Sequence, residues 1–227
     1  MVIAIDGPAG TGKSTIALML SENLKGKDGN PFTYINSGNL YRAITMGCLR
    51  AGIEISQPER VLEYAKMAPL GYREGKLYLV DEIIEEQLHN DEVDKYVSPL
   101  SAIVPVRHVV NDLIRKIASG LNAVVEGRDM TTVVFPRAEY RFYLDASIKV
   151  RAKRRFEQGV SRLSLKEIED SIAERDSIDR NKVEGSLFLG QGVIYLDTSD
   201  LTLNQVYATL LDRLQKEGRT DGSGNGH

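Results

Sequence analysis

Residues 2–15 read VIAIDGPAGTGKST, and this stretch decides the fold. Val2–Asp6 is a short apolar run that predicts a buried β-strand. Gly7–Ser14 fits the pattern G-x-x-x-x-G-K-[ST] in full, and Lys13–Leu24 follows it with the apolar spacing of a helix. A strand that passes through a glycine-rich turn into a helix is the setting in which this pattern forms a phosphate-binding loop.

The glycine-rich turn predicts a cradle for the phosphates of a nucleotide. Glycine allows close backbone approach and positive φ, so that N–H groups at the helix N-terminus point at the anion. Lys13 then reaches the β- and γ-phosphates, and the Ser14 hydroxyl ligates Mg²⁺. The glycine spacing disfavours a Rossmann dinucleotide site, but a GTPase, an ATPase motor and a small-molecule kinase all stay open. The nucleotide-binding residues predicted from the loop are Gly7, Pro8, Ala9, Gly10, Thr11, Gly12, Lys13, Ser14 and Thr15.

Four further apolar segments predict strands, and helical patterns separate them. The strand segments are Thr33–Asn36, Asn122–Glu126, Tyr140–Asp145 and Val193–Asp197. This alternation predicts an α/β fold of the P-loop NTPase type, a parallel sheet of about five strands flanked by helices. The predicted helices include Leu40–Ala51, Ile148–Glu157, Ser164–Lys182 with a capping pattern at Ser164 and Glu167, and Thr202–Glu217 with one at Thr202 and Gln205.

The segment 59–101 breaks the alternation of strands and helices. Gly71–Glu74 and Lys76–Val80 flank Gly75 and resemble a β-hairpin, so we expect an inserted small antiparallel and helical lobe. The polar, glycine-rich tail is expected to be disordered. The expected units are a P-loop core over 1–58 and 102–217, a helical lid at about 156–183, the inserted lobe over 59–101 and the tail over 218–227.

The composition excludes several classes of protein. The chain of 227 residues has 29 basic and 32 acidic side chains, and its net charge of −3 is too balanced for global binding of nucleic acid. Its one cysteine, Cys48, forms no intrachain disulfide, and together with three histidines it makes no plausible zinc site. No apolar run approaches the roughly 20 residues that span a bilayer, and the first residues do not resemble a secretory signal. We expect a cytoplasmic monomer without a nucleic-acid or membrane partner.

Three clusters that contain arginine indicate a second anionic substrate. They lie at 37–42 (SGNLYR), 126–129 (EGRD) and 174–182 (ERDSIDRNK). The first two follow predicted strands, at the carboxyl edge where open α/β sheets bind ligands. A surface ion pair or a helix cap explains any single cluster equally well. All three together on a phosphate-binding scaffold favour an anionic acceptor.

With these motifs in this order, the chain resembles the bacterial cytidylate kinases, which are P-loop kinases of nucleoside monophosphates. The matching segments are GPAGTGKST, SGNLYRA, Ser98-x8-Arg107, EGRDMTTVVFP, the basic run at 151–155 and ERDSIDRNK, over roughly residues 1–215. The resemblance implies that ATP with Mg²⁺ donates its γ-phosphoryl group to CMP, and also to dCMP. It further implies a nucleotide-binding lobe at the place where the alternation breaks.

The resemblance also implies roles for individual residues. Ser37, Arg107 and Asp129 match the cytosine contacts of the family, and a carboxylate suits the N4 amine of cytosine but faces the O4 acceptor of uracil unfavourably. Ser98 and Asp179 match its ribose contacts. The phosphate clamps are matched by Arg42, Arg128 and Arg175, with Lys182 where a late arginine is usual, and the lid contacts to ATP are matched by Arg151 and Arg155.

The implied catalytic residues are Lys13, Arg128 and Arg175. A monophosphate acceptor is already anionic and needs no general base, so catalysis should rest on positioning and charge stabilisation. Glu126 stands where some members have aspartate, so the resemblance assigns it no role at the metal. The alternatives are a kinase for UMP, AMP or a small metabolite, a regulatory NTPase switch that binds a protein partner, and a nucleotide-binding module without catalysis.

Overall fold

A five-stranded parallel sheet carries the phosphate-binding loop at the end of its central strand. The structure is a computed structural model that describes residues 1–73, 76–80, 82–159 and 163–220. Its strands are β1 (Val2–Asp6), β2 (Phe32–Asn36), β3 (Leu70–Arg73), β4 (Lys76–Leu79), β5 (Glu82–Ile83), β6 (Asn122–Gly127), β7 (Tyr140–Asp145) and β8 (Ile194–Asp197). The parallel sheet has the order β2-β6-β1-β7-β8. The predicted fold class is therefore confirmed, and β1 lies at its centre because its residues are buried on both faces.

The helices pack on both faces of this sheet. They are α1 (Lys13–Asn23), α2 (Ser37–Arg50), α3 (Pro58–Met67), α4 (Asp91–Ser101), α5 (Val104–Ala118), α6 (Ile148–Glu157), α7 (Leu165–Arg180) and α8 (Leu203–Thr220). Ile3 and Ile5 of β1 join one apolar cluster with residues of α1 and α8, whereas Ala4 joins a second cluster on the other face. This alternation along β1 follows from the two-residue period of a strand. None of the described helices is long and apolar enough to cross a membrane.

The helix starts show how local side chains set the element bounds. Helix α2 begins at Ser37, three residues before the predicted start, because the Asn36 side chain accepts a hydrogen bond from the Asn39 N–H at 3.1 Å. The capping box at Ser164 and Glu167 is confirmed, with the Ser164 N–H donating to Glu167 at 2.8 Å. Helix α8 runs to Thr220, three residues into the tail that the sequence suggested to be disordered.

The insertion contains a separate antiparallel sheet that packs onto the main core. Strands β3, β4 and β5 form it in that order, between α3 and α4. Leu77, Leu79 and Ile84 are buried in the same apolar cluster as Ile35 and Val125 of the parallel sheet. The lobe is thus fastened to the core by shared apolar burial. The predicted turn at Gly75, residues 160–162 of the predicted lid and the tail from residue 221 lie outside the described residues.

Asp6 fastens the segment after β6 to the end of β1. Its buried carboxylate accepts hydrogen bonds from the Met130 N–H at 2.8 Å, the Thr131 N–H at 2.7 Å and the Thr131 hydroxyl at 2.6 Å. Burial raises the pKa of Asp6 to about 6 against these three donors. These bonds hold one turn of π-helix, Met130–Val134, and so fix the position of the EGRD segment that precedes it.

We predict that Gly7→Ala destabilises the protein more than a glycine substitution without a close neighbour. A Cβ on Gly7 would collide with the Leu144 carbonyl oxygen of β7, and its φ of 147° disfavours any side chain. The sum of the steric and the backbone costs is about 2–5 kcal/mol in the free energy of unfolding by urea.

Gly29→Ala is the matched control, because Gly29 has a φ of 77° and would meet nothing within 4 Å. It should cost only the backbone strain of about 1–2 kcal/mol. Equal losses in the two variants would show that the approach of Gly7 to β7 does not constrain the loop.

Candidate active site

The candidate site is a cavity of about 190 Å³ at the carboxyl edge of the parallel sheet. The phosphate-binding loop, the start of α2, the segment after β6 and parts of α4, α5 and α7 line it. The predicted site residues that line it are Ala9, Gly10, Lys13, Ser14, Ser37, Arg42, Ser98, Arg107, Arg128, Asp129, Arg175, Asp179 and Lys182. A larger hollow of about 650 Å³ lies beside the insertion, at Gly47, Arg50 and Tyr64, and includes no residue of the loop.

The phosphate-binding loop has the backbone shape that its glycines predict. Gly7, Gly10 and Gly12 have φ values of 147°, 80° and 90°, a region that favours glycine. The Lys13 Nζ folds back over the loop and donates to the Pro8 carbonyl at 2.7 Å. Helix α1 begins directly at Lys13, so its N-terminus, where a helix favours an anion, lies at the cavity.

The surroundings of Lys13 disfavour the charged form of its side chain. Burial, followed by repulsion from the Arg128 guanidinium, lowers the pKa of Lys13 to about 7. The carboxylates of Glu126 and Asp6 oppose this shift without cancelling it. The carboxylates near the loop therefore do not supply enough negative charge to keep Lys13 fully protonated. The oxygens of a bound phosphate would supply the missing negative charge.

Asp179 holds two cations at the cavity. Its Oδ2 accepts from the Arg128 Nε at 2.8 Å, and its Oδ1 accepts from the Lys182 Nζ at 2.7 Å. Burial alone would raise the pKa of Asp179, but the cations of Arg128 and Lys182 outweigh it and hold the pKa well below its usual range. Burial in turn lowers the pKa of Lys182, whose Nζ also donates to the Ser101 hydroxyl at 3.0 Å.

Arg107 and Asp129 form a buried ion pair in the cavity that Ser37 also lines. Each of the two side chains is 3% exposed, and the Arg107 guanidinium lies 5.7 Å from the centre of the Tyr41 ring. A Cβ on Gly127 would collide with the Ser37 hydroxyl, so a glycine at this position lets Ser37 lie close to the end of β6. A hydroxyl, a guanidinium and a carboxylate thus line the same cavity, which is a set of donors and acceptors suited to a polar ring.

Arg175 and Arg42 differ in how the protein satisfies them. The Arg175 Nε is buried and has no hydrogen-bond partner among the described residues. Burial, followed by repulsion from Arg128, lowers the pKa of Arg175 to about 10. Arg42 pairs with the Asp94 carboxylate at 2.5 Å and donates to the Leu88 carbonyl at 3.0 Å. Arg175 is therefore a cation that the protein leaves short of partners, whereas Arg42 is anchored to the insertion.

Arg151 and Arg155 do not line the cavity. Arg151 is buried behind the loop, where its Nη1 donates to the Ala9 carbonyl at 3.0 Å and its Nη2 pairs with Asp176 at 2.5 Å. Arg155 is exposed, with its Nη2 3.7 Å from the Asp94 carboxylate. The contact of Arg151 with the loop backbone supports the shape of the loop. Contacts of both arginines with ATP stay a prediction.

Comparison with known proteins matches almost the whole chain to one family. The family model described as Cytidylate kinase matches residues 3–216. The chain is 40% identical over 218 residues to Cytidylate kinase 1 of Borreliella afzelii (strain PKo), which covers 94% of this chain and 96% of the relative. It is 37% identical over 217 residues to the cytidylate kinase of Caldanaerobacter subterraneus subsp. tengcongensis, with 94% of each chain covered. The chain belongs to the cytidylate kinase family.

A solved structure shows the same fold at low sequence identity. The crystal structure of an uncharacterized protein from Eubacterium ventriosum ATCC 27560 matches with a TM-score of 0.51 and 12% identity. The match covers 95% of this chain and 98% of that chain. At this identity the likeness concerns the fold alone, a parallel sheet flanked by helices.

Nine described residues outside the predicted set also line the cavity of this cytidylate kinase family member, and three of them carry side chains that are unpartnered or have a pKa shifted by burial. These three are Asn39, Tyr41 and His89. The Tyr41 hydroxyl and the Asn39 Oδ1 are buried without hydrogen-bond partners among the described residues. Asn39 and Tyr41 both lie in the SGNLYR cluster, so their closeness in sequence to Arg42 could have indicated that they belong to the site. His89 comes from the insertion, where no local pattern connects it with the loop, and burial lowers its pKa.

We predict that ATP binding takes up protons at pH 8. The pKa of Lys13 is about 7 in the free protein, so this lysine is mostly neutral at pH 8 and becomes charged when phosphates surround it. Uptake should approach one proton per nucleotide at pH 8 and fall towards zero near pH 6, as measured by calorimetry in buffers of different ionisation enthalpy.

Lys13→Arg is the control variant, because an arginine at this position keeps its charge at both pH values. Its ATP binding should take up no proton at pH 8. Uptake that is equal in wild type and Lys13→Arg would show that another group titrates.

Proposed function

We propose that the protein transfers the γ-phosphoryl group of ATP to CMP and to dCMP, giving ADP with CDP or dCDP. The observation that supports this proposal most strongly is that one cavity joins the phosphate-binding loop to the buried Arg107–Asp129 pair. The loop binds the nucleotide that gives the phosphoryl group. The ion pair binds a base that has both hydrogen-bond donors and hydrogen-bond acceptors. Membership of the cytidylate kinase family agrees with this pairing of substrates.

The base of the acceptor is read by Asp129, Arg107 and Ser37. A carboxylate accepts from the N4 amine of cytosine, and a guanidinium donates to the ring nitrogen or the carbonyl. Uracil presents an O4 acceptor at the position of the amine, so a lone pair of the base faces the carboxylate where cytosine offers a donor. Ser98 and Asp179 contact the ribose, and both line the cavity.

The phosphates are held by cations on three elements. Arg42 from α2, Arg128 after β6 and Arg175 from α7 bind the acceptor phosphate or the group in transfer, with Lys182 beside them. Lys13 binds the β- and γ-phosphates. Because the acceptor oxygen is already anionic, the rate enhancement comes from alignment of the two substrates and from neutralisation of charge.

The donor is ATP with Mg²⁺, and the oxygen groups at Ser14 fit this ion. The Ser14 hydroxyl donates to the Glu126 Oε1 at 2.7 Å, so a hydroxyl and a carboxylate lie together next to the loop. Oxygen ligands of this kind are those that Mg²⁺ prefers. When it is bound, the ion neutralises charge on the β- and γ-phosphates.

The proposal also covers the lid, the inserted lobe, the oligomeric state and the cellular compartment. Residues 156–183 act as a lid over ATP that excludes water, and Arg151 and Arg155 at the root of this lid contact the nucleotide. Residues 59–101 act as a lobe that binds the monophosphate. The protein works as a monomer in the pyrimidine nucleotide metabolism of the cytoplasm, where ATP and CMP are both available.

The test is a coupled ADP-release assay with CMP, dCMP, UMP and AMP as acceptors, on wild type and on Asp129→Asn. Wild type should prefer CMP and dCMP. Asp129→Asn should lower the ratio of kcat/KM for CMP over UMP by about 10- to 100-fold, because one good base contact is worth roughly 1–3 kcal/mol and an amide can donate to O4.

Asp112→Asn is the control, since Asp112 lies exposed on α5 in a surface pair with Arg115. Its ratio should equal that of wild type. Preference of wild type for AMP, or release of ADP that does not depend on any acceptor, would contradict the proposed function. An unchanged ratio in Asp129→Asn would assign the reading of the base to another residue.

A further inference from the structure

A chain of side-chain hydrogen bonds runs from strand β2 to the phosphate-binding loop. The Glu126 Oε1 accepts from the Ser14 hydroxyl at 2.7 Å and also from the Tyr34 hydroxyl at 3.1 Å. The Tyr34 oxygen itself accepts from the Asn36 amide at 3.1 Å. Tyr34 and Asn36 are two residues apart on β2, so both side chains lie on the same face of the sheet.

The position of Glu126 explains why it can accept hydrogen bonds from both Tyr34 and Ser14. Glu126 is 4% exposed and pairs with Ile5 of β1 and Asn36 of β2, in the strand between them. Its backbone is therefore fixed by strands on both sides, and only its side-chain torsions decide where the carboxylate points. Two donors on a single oxygen, Ser14 from α1 and Tyr34 from β2, define that direction.

The contact with Glu126 also orients the Ser14 hydroxyl. A serine hydroxyl has one proton and two lone pairs. Because the proton is directed at the Glu126 carboxylate, the lone pairs are directed away from it, which is the orientation that a cation ligand needs. Removal of a group that fixes the orientation of a metal ligand in this way typically costs 10- to 100-fold in metal affinity.

We infer that Tyr34, acting through Glu126, is a positioning residue for the metal ligand Ser14. This inference rests on the proposed function, because it takes Ser14 as the residue that binds Mg²⁺ with ATP. Tyr34 does not line the cavity, and its hydroxyl fixes the carboxylate that orients the serine. The inference assigns Glu126 a task at the metal site, through the serine hydroxyl.

The test measures binding of the β,γ-imido analogue of ATP, once with excess Mg²⁺ and once with EDTA. Tyr34→Phe removes the donor to Glu126 and leaves the ring in place. Its affinity for the analogue should fall about tenfold with Mg²⁺ and be unchanged in EDTA. Tyr140→Phe is the matched control. Tyr140 is the first residue of β7, and its hydroxyl donates to the Leu214 carbonyl of α8 at 3.3 Å. That variant should bind like wild type under both conditions.

A double-mutant cycle tests whether Tyr34 acts through Glu126. Glu126→Gln should weaken binding with Mg²⁺, and the addition of Tyr34→Phe to it should weaken binding no further. Should Tyr34→Phe fail to fold in a thermal melt, Asn36→Asp is the second variant. It keeps the acceptor that caps α2, but its carboxylate competes with Glu126 for the Tyr34 proton. Because Asn36 also lines the cavity, the added charge weakens binding in EDTA as well, and the loss with Mg²⁺ should be the larger of the two.

Three results would overturn the inference. They are full affinity of the Tyr34→Phe variant with Mg²⁺, an equal loss in EDTA, and losses that add in the double variant. Failure of the proposed function looks different, because wild type would then either gain no affinity from Mg²⁺ or release ADP without any dependence on CMP.

Discussion

Buried and half-buried cations that line one small cavity are the constraint on which the site depends. Lys13, Arg128, Arg175 and Lys182 line the same cavity of about 190 Å³, and burial and mutual repulsion lower the pKa of Lys13 to about 7 and that of Arg175 to about 10. Such an arrangement costs stability in the free protein, and a functional site is where proteins tolerate this cost. Two nucleotides with their phosphates end to end supply the missing negative charge.

Carboxylates keep these cations in place without neutralising the site. Asp179 holds Arg128 and Lys182, Asp94 holds Arg42, and Asp129 holds Arg107. The acids come from different elements, so the cations are oriented by the assembled fold and by no single motif. The insertion takes part through Asp94, and also through Tyr72 of β3, whose hydroxyl donates to the Tyr34 carbonyl on the edge strand β2.

The sequence predicts those features that neighbouring residues determine. The strands, the glycine-rich loop and the capping box at Ser164 depend on local patterns, and the structure has them within a few residues of the predicted bounds. Contacts between distant segments are a different matter. Nothing local pairs Arg151 with Asp176, brings Tyr34 to Glu126, or buries Leu77 of the insertion in the core, because each depends on how helices and strands pack.

The most direct test of the account is thermal unfolding of Arg175→Met, with and without ADP plus CMP. If Arg175 is a cation held ready for phosphates, the variant without nucleotides should be more stable than wild type by about 1–2 kcal/mol. It should also lose most of the stabilisation that the two nucleotides give wild type. That stabilisation is about 2.7 kcal/mol for each nucleotide at 100-fold above its Kd, or about 5.4 kcal/mol for both. A variant that is less stable alone and gains as much from the nucleotides as wild type would contradict the account.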